Sequence, residues 1–263
     1  MPPPIVLSIA GYDPSSGAGI TADVKTIAAH GCYGLTCITA LTVQSTLGVR
    51  RVVPVSGKII TATLKELAGD CDIDAVKIGM LGSAEAASAV TAFLKVRRFK
   101  VVVLDPVLIS SSGARLLTRE GVQILKTQLL KLASVVTPNV DEAAVLSGIP
   151  VHTSDDMRSA ALRIHQMGVP NVVITGGHLN PPADFISMAS GAQTRLFAGK
   201  KISTRSTHGT GCAFSTALAC NLAQGHDLVS ATKSAKEYVR AALKAAPNIG
   251  KGKGPVGTVF REE

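Results

Sequence analysis

Residues 209–212 combine the types needed to bind an anion beside a thiol. Gly209 and Gly211 flank Thr210, Cys212 follows, and residues 213–219 continue as a predicted helix. Glycines let the backbone pass close to a bound group, and the free N–H groups and dipole of a helix start favour negative charge. The stretch therefore predicts an anion-binding helix start, although a plain glycine turn before a helix fits the same local pattern.

The thiol of Cys212 adds a possible proton acceptor at this helix start. A helix start lowers the pKa of a thiol from its reference value of about 8.5. Cys212 could therefore take a proton from an alcohol, or only position that alcohol. His208 precedes the glycines, and a local structural role fits it at least as well as a chemical one.

Two polar residues follow predicted strands in the first part of the chain. The apolar run 5–10 leads into a loop of small residues whose only carboxylate is Asp13, and the run 37–43 leads into Gln44. In open α/β sheets, ligands bind at the carboxyl ends of the strands. Asp13 could contact a ligand or form an Asx-turn. Gln44 offers a donor and an acceptor to a heterocycle, or is a solvent-facing loop amide.

Acidic residues follow two later strands. The run 101–104 is the most hydrophobic strand of the chain and ends in Asp105, which is costly to bury unless a cation lies nearby. Asn139 and Glu142 follow the next predicted strand, 134–137, on the opening turn of a helix. The position of Asp105 at the end of the strand 101–104 therefore predicts a role near Mg²⁺ or near the phosphates. The Asn139–Glu142 pair could position Mg²⁺ ligands or a phosphate, or could simply cap a helix.

The elements that must position these residues alternate between strand and helix. Further strands are predicted at 75–78 and 172–175, helices at 20–30, 58–67, 83–95, 118–131, 154–167 and 227–245, and a short antiparallel section at 180–205. This alternation favours a mostly parallel sheet covered on both faces by helices. With 46% apolar and only 3% aromatic residues, the core must be aliphatic. We expect one α/β domain spanning residues 1–263.

Composition also limits the function. The net charge of +9 attracts anions such as nucleotides, but the basic residues form no block with interleaved aromatics, so nucleic acid is not expected as a partner. The first residues do not resemble a signal peptide, no apolar run is long enough to span a membrane, and the five cysteines form no Cys-x-x-Cys pair. These features predict a cytoplasmic protein. P-loop, nucleophile-elbow and His-Glu-x-x-His motifs are absent.

Nearly the whole chain resembles the hydroxymethylpyrimidine/phosphomethylpyrimidine kinases of thiamine biosynthesis, within the ribokinase-like superfamily. The matching segments are GYDPSSGAGI at 11–20, TALTVQ at 39–44, VKIGMLG at 76–82, DPV at 105–107, TPN at 137–139, GGH at 176–178 and THGTGC at 207–212. Each segment is weak alone, but their order is highly specific. The resemblance implies a three-layer α/β/α fold, ATP and Mg²⁺ as cosubstrates, a homodimer, and phosphorylation of a pyrimidine alcohol and then of its monophosphate.

The resemblance also implies a role for each matching site residue. Cys212 would stand where many superfamily relatives carry an aspartate base, with the backbone of Gly209 and Gly211 forming the anion hole. Asp105 and Glu142 would lie on the Mg²⁺–phosphate side. The pyrimidine pocket would comprise Gly11, Asp13, Ala18, Val43, Gln44, Met80 and Val107. The nucleotide would meet Asn139, Thr175, Thr207, Gly209, Thr210 and Gly211.

Three positions depart from the family pattern. Ser111 and Thr175 stand where the family usually has lysines near the phosphates, and Lys253 stands where it often has histidine. Charged hydrogen bonds are the stronger class, so losing two lysines could slow phosphoryl transfer. A pyridoxal kinase of the same fold, and a non-catalytic pyrimidine-binding relative, are therefore alternative interpretations.

Overall fold

A computed structural model describes residues 2–110, 113–177 and 179–258. One nine-stranded sheet runs through it in the order β3-β2-β1-β4-β5-β6-β7-β8-β9. The strands from β2 to β7 in that order are parallel, whereas β3, β8 and β9 are antiparallel to their neighbours. The strands are β1 Ile5–Tyr12, β2 Tyr33–Ser45, β3 Gly48–Pro54, β4 Ala75–Ile78, β5 Val101–Leu104, β6 Val135–Val136, β7 Val172–Gly176, β8 Ala183–Met188 and β9 Gln193–Ala198.

Helices cover both faces of the sheet. They are α1 Gly19–Ala29, α2 Gly57–Asp70, α3 Ala84–Val96, α4 Arg119–Ile124, α5 Val140–Ser147, α6 Ser154–His165, α7 Thr210–Ala223 and α8 Leu228–Lys244. The helix α4 continues as a π-helical turn, Leu125–Leu129, and a 3-10 turn, Leu130–Leu132. Of the helices in the described residues, none is both long enough and apolar enough to cross a membrane.

Alternate residues of the strands feed two separate hydrophobic clusters. On β5, Val102 and Leu104 pack with α2 to α6, whereas Val101 and Val103 pack with α1, α7 and α8. Side chains on successive strand residues point to opposite faces of a sheet, so this division places one helical layer on each face. The three-layer α/β/α architecture expected from the sequence is confirmed.

The main departure from the predicted elements lies at one edge of the sheet. The second strand extends to Tyr33–Ser45 and forms a hairpin with β3, which the sequence analysis did not predict. Gln44 therefore lies within a strand and not in a loop. Because Gln44 and Thr42 share one face of β2, Val43 points to the other face, where it is 55% exposed.

Candidate active site

A cavity of about 560 Å³ opens at the carboxyl ends of the parallel strands. Residues after β1, β4, β5 and β6 reach it, as do Thr175 near the end of β7 and the start of α7. Of the site residues predicted from the sequence, those that line it are Gly11, Asp13, Ala18, Gln44, Met80, Asp105, Val107, Asn139, Glu142, Thr175, Thr207, Gly209, Thr210, Gly211 and Cys212. Val43 is not among the lining residues, so its expected place in the pocket is not supported.

The glycines before α7 hold this helix start in place. Gly209 is the N-cap, with a left-handed φ of +88°. A Cβ there would lie 1.7 Å from the carbonyl oxygen of Gly17, so the first loop and the helix start pack at a distance only glycine allows. A Cβ on Gly211 would meet no atom within 4 Å, which leaves open space above the first turn. The geometry suits the approach of an anion to the backbone.

Asp13 organises the loop between β1 and α1. Its Oδ1 accepts hydrogen bonds from the backbone N–H and hydroxyl of Ser15, and its Oδ2 accepts from the N–H groups of Gly17 and Ala18. His208 Nε2 lies 2.8 Å from the same Oδ2. Burial alone would raise the pKa of Asp13, but the hydrogen bonds from His208 and Ser15 hold it below its ordinary value. Asp13 was expected either to contact a ligand or to form an Asx-turn. These hydrogen bonds support the turn, and they also join Asp13 to His208.

A buried ion pair lies beneath the site, which the sequence analysis did not find. Lys77 on β4 contacts both oxygens of Asp23 on α1, at 3.0 and 2.9 Å, and both side chains are fully buried. Asp23 also accepts from Thr216 on α7 at 2.8 Å and from Ser8 on β1 at 2.5 Å. The only signal in the sequence was a lysine inside an apolar strand. The pair ties α1, α7, β1 and β4 together directly below the anion-binding turn.

Cys212 does not have the lowered pKa expected for a thiol at a helix start. Burial raises its pKa to about 12, with further upward contributions from the carboxylates Asp105 and Asp23. The ammonium of Lys77 and a hydrogen bond from the backbone of Gly19 act in the opposite direction but do not outweigh them. That expectation is wrong because tertiary packing desolvates the thiol and also brings Asp105 and Asp23 near it, and the local sequence reveals neither effect.

Asp105 and Glu142 form a pair of buried acids in the cavity wall. Asp105 accepts a hydrogen bond from Ser215 Oγ at 2.9 Å, and Glu142 accepts from the N–H of Asn139 in a capping box. Burial, followed by repulsion from Asp105, raises the pKa of Glu142 to about 8, and burial also raises the pKa of Asp105. The capping role of Asn139 and Glu142 is confirmed, and the two acids are also close enough to disfavour each other's charge.

The described residues contain no group of three or more His, Cys, Asp or Glu side chains that could hold a metal. A pair of carboxylates still fits Mg²⁺, which is usually held by one or two carboxylates together with waters and substrate phosphates. A cation between Asp105 and Glu142 would relieve the repulsion that raises the pKa of Glu142.

Positive charge is scarce around the cavity. Thr175 lies on β7 at the cavity wall, where its N–H donates to the carbonyl of Pro138, and Ser111 falls outside the described residues. Lys253 is the only lysine or arginine among the described lining residues. Thr175, which stands where the family usually has a lysine, therefore faces the cavity with a neutral side chain.

The sheet order, the strand-end acids and the glycine-bounded helix start define a ribokinase-like kinase of small molecules. A family model described as phosphomethylpyrimidine kinase matches residues 13–257. The chain belongs to this family, the phosphotransferases of thiamine biosynthesis.

Individual relatives agree with this assignment. The hydroxymethylpyrimidine/phosphomethylpyrimidine kinase of Haemophilus influenzae is 44% identical, over 95% of this chain and 94% of its own length. The thiamine biosynthesis bifunctional protein ThiED of Geobacter sulfurreducens is 42% identical over 98% of this chain, which spans only 53% of that longer protein. An ADP complex of Bacillus subtilis pyridoxal kinase superposes with a TM-score of 0.89, at 35% identity and 97% coverage of both chains.

Proposed function

We propose that this chain transfers the γ-phosphoryl group of ATP to 4-amino-5-hydroxymethyl-2-methylpyrimidine and then to the monophosphate formed. The observation that carries the proposal is the set of residues that line one cavity. The amide of Gln44 and the helix start at 209–212 line the same space, and the acids Asp105 and Glu142 line it too. A heterocycle held at Gln44 can therefore present its hydroxymethyl group to a phosphate held at the helix start.

The chain's own residues supply binding, orientation and charge balance. The N–H groups at the start of α7 would bind the transferring phosphoryl group. Asp105 and Glu142 would hold Mg²⁺, which when bound neutralises charge on the nucleotide phosphates. Asn139, Thr175 and Thr207 line the cavity where the nucleotide would lie.

Cys212 is assigned a positioning role toward the substrate hydroxyl. With a pKa of about 12, the thiol is protonated near neutral pH and is a poor proton acceptor before the transfer. Phosphoryl transfer passes through a loose transition state, so catalysis depends mainly on positioning and electrostatic stabilisation. The thiol would contact and orient the attacking hydroxyl, and the proton of that hydroxyl would pass to an oxygen of the transferred phosphoryl group as the new P–O bond forms.

Pyridoxal kinase activity is the second candidate, favoured by the high structural similarity to the Bacillus subtilis enzyme. Gln44 favours the pyrimidine, because its amide complements a ring nitrogen beside an amino group. The test is ADP release with ATP-Mg²⁺ and either the pyrimidine alcohol, its monophosphate or pyridoxal. We expect turnover with both pyrimidines and faster turnover than with pyridoxal. Tight pyrimidine binding without any turnover would refute both kinase proposals and support the non-catalytic alternative.

The remaining expectations are part of the same proposal. The single continuous sheet supports treating residues 1–263 as one kinase domain. A homodimer and a cytoplasmic location rest on the family resemblance and the cysteine content. Sedimentation of the purified chain tests the dimer directly.

A further inference from the structure

The side chain of Gln44 is held by a polar chain that begins at Asp13. His208 Nε2 lies 2.8 Å from Asp13 Oδ2 and 3.0 Å from one terminal atom of the Gln44 amide. The other terminal atom of that amide lies 3.3 Å from Thr42 Oγ1, and this hydroxyl donates to the carbonyl of Tyr12 at 2.9 Å. Asp13 and His208 are buried, with 3% and 9% of their surfaces exposed.

The donor and acceptor roles along this chain follow from Asp13. Four donors besides His208 converge on its two oxygens, which is the environment of an ionised carboxylate. An ionised carboxylate only accepts hydrogen bonds. The His208 Nε2 atom must therefore carry a hydrogen and donate it toward Asp13.

This hydrogen decides which end of the Gln44 amide faces His208. The structure places the amide nitrogen there, which sets two donors against each other, but the nitrogen and oxygen of an amide are told apart only by their partners. With the oxygen toward His208, the shared Nε2–H donates to both neighbours. The amide nitrogen then donates to Thr42 Oγ1, whose single hydrogen is already directed to Tyr12.

In this orientation the amide keeps one free acceptor site and one free donor. A carbonyl oxygen has two lone pairs and an amide nitrogen has two hydrogens, and the chain uses one of each. An aminopyrimidine edge offers the complementary pair, a ring nitrogen that accepts and an amino group that donates. A 4-oxopyrimidine edge, with a ring N–H beside a carbonyl, offers the same pair in reversed order.

We infer that His208, held by Asp13, is a specificity-determining positioning residue that fixes the Gln44 amide so that it accepts a 4-aminopyrimidine and rejects the 4-oxo analogue. The inference rests on the proposed function, because it names the feature of the substrate that the same cavity recognises. His208 acts through Gln44 and not on the transferring phosphoryl group.

The test compares two alcohols that differ only in this edge: 4-amino-5-hydroxymethyl-2-methylpyrimidine and its 4-oxo analogue. Binding of each is measured by calorimetry without ATP, and kcat/KM by ADP release. In His208→Met the amide is free to rotate, so the preference for the amino compound should fall by about tenfold, the effect of one or two hydrogen bonds. In His208→Gln, an amide N–H can take the place of the ring Nε2–H, so the preference should be kept.

A matched control and a second variant complete the design. Ser15→Ala removes a donor to Asp13 Oδ1 but leaves the contact of His208 with Oδ2, so the preference should be unchanged. If His208→Met does not fold, Thr42→Val removes the acceptor at the other end of the amide and should also reduce the preference. An unchanged preference in His208→Met, or in Thr42→Val where His208→Met does not fold, overturns the inference, as does a preference lost in His208→Gln to the same extent as in His208→Met. Failure of the unmodified chain to phosphorylate either alcohol instead overturns the proposed function, while the binding preference still tests His208.

Discussion

The buried ion pair between Lys77 and Asp23 gives the sharpest prediction for stability. Both side chains have no exposed surface, and the two contacts of 3.0 and 2.9 Å make the pair bidentate at the carboxylate. Replacing Lys77 by Met leaves Asp23 with its hydrogen bonds from Ser8 and Thr216 but without a cation. Removing one partner of a buried pair costs about 3–5 kcal/mol, because the remaining charge is uncompensated.

Thermal unfolding followed by circular dichroism measures this cost. For a chain of this size, a loss of 3–5 kcal/mol lowers Tm by roughly 10 °C. The double variant Lys77→Met with Asp23→Asn removes both charges but keeps an acceptor for the two hydroxyls. It should therefore recover part of the lost Tm. A Tm of Lys77→Met within about 2 °C of the unmodified chain, or a double variant no more stable than the single one, would refute the reasoning.

Four further predictions concern the cavity. Because the pKa of Glu142 is raised from 4.5 to about 8, its contribution to stability is fully present below pH 4.5 and is lost as pH rises through about 8. In metal-free buffer, Glu142→Gln should therefore flatten the fall in Tm between these two pH values, and a fall that persists in the variant contradicts this. The same substitution should weaken Mg-ATP binding about tenfold. Cys212, with its pKa raised from 9.0 to about 12, should react with iodoacetamide at pH 8 more than about tenfold more slowly than free cysteine, as followed by peptide mass spectrometry; an equal rate refutes the burial argument. Thr175→Lys should raise kcat by about tenfold, whereas Thr175→Met should not, and equal rates would show that the missing charge is not limiting. Gly209→Ala should lower both Tm and kcat because its Cβ meets a backbone carbonyl, while Gly211→Ala should leave Tm unchanged; equal Tm values would contradict the close packing.

Much of the site could be predicted because parallel strands bring their carboxyl ends to one edge. Gly11, Asp105 and Thr175 follow or end three different strands, and all line the same cavity. Local turn chemistry was also readable, since the Asn139–Glu142 spacing of a capping box is present in the structure. Sequence reasoning succeeded where a residue's role depends on its own strand or helix.

It failed where a role depends on a partner far along the chain. Lys77 and Asp23 are 54 residues apart, and the local sequence around either residue does not indicate that the two form an ion pair. Val43 is not among the residues that line the cavity, and the hairpin of β2 with β3, which carries β2 past Val43 to Ser45, was not predicted. The pKa of Cys212 depends on burial and on Asp105 and Asp23, which only the tertiary structure brings near.

The charge distribution explains how such a cavity could serve a polyanionic substrate. Four carboxylates line it, those of Asp13, Asp105, Asp141 and Glu142, against one lysine among the described lining residues. The charge of Asp13 is already satisfied by its own loop and by His208. Ionisation of the other three acids would repel ATP, and the raised pKa of Asp105 and of Glu142 means that their negative charges are already disfavoured without a cation. The proposed Mg²⁺ would therefore balance the protein's acids as well as the nucleotide, because the charge of Lys77 beneath the helix start is already compensated by Asp23.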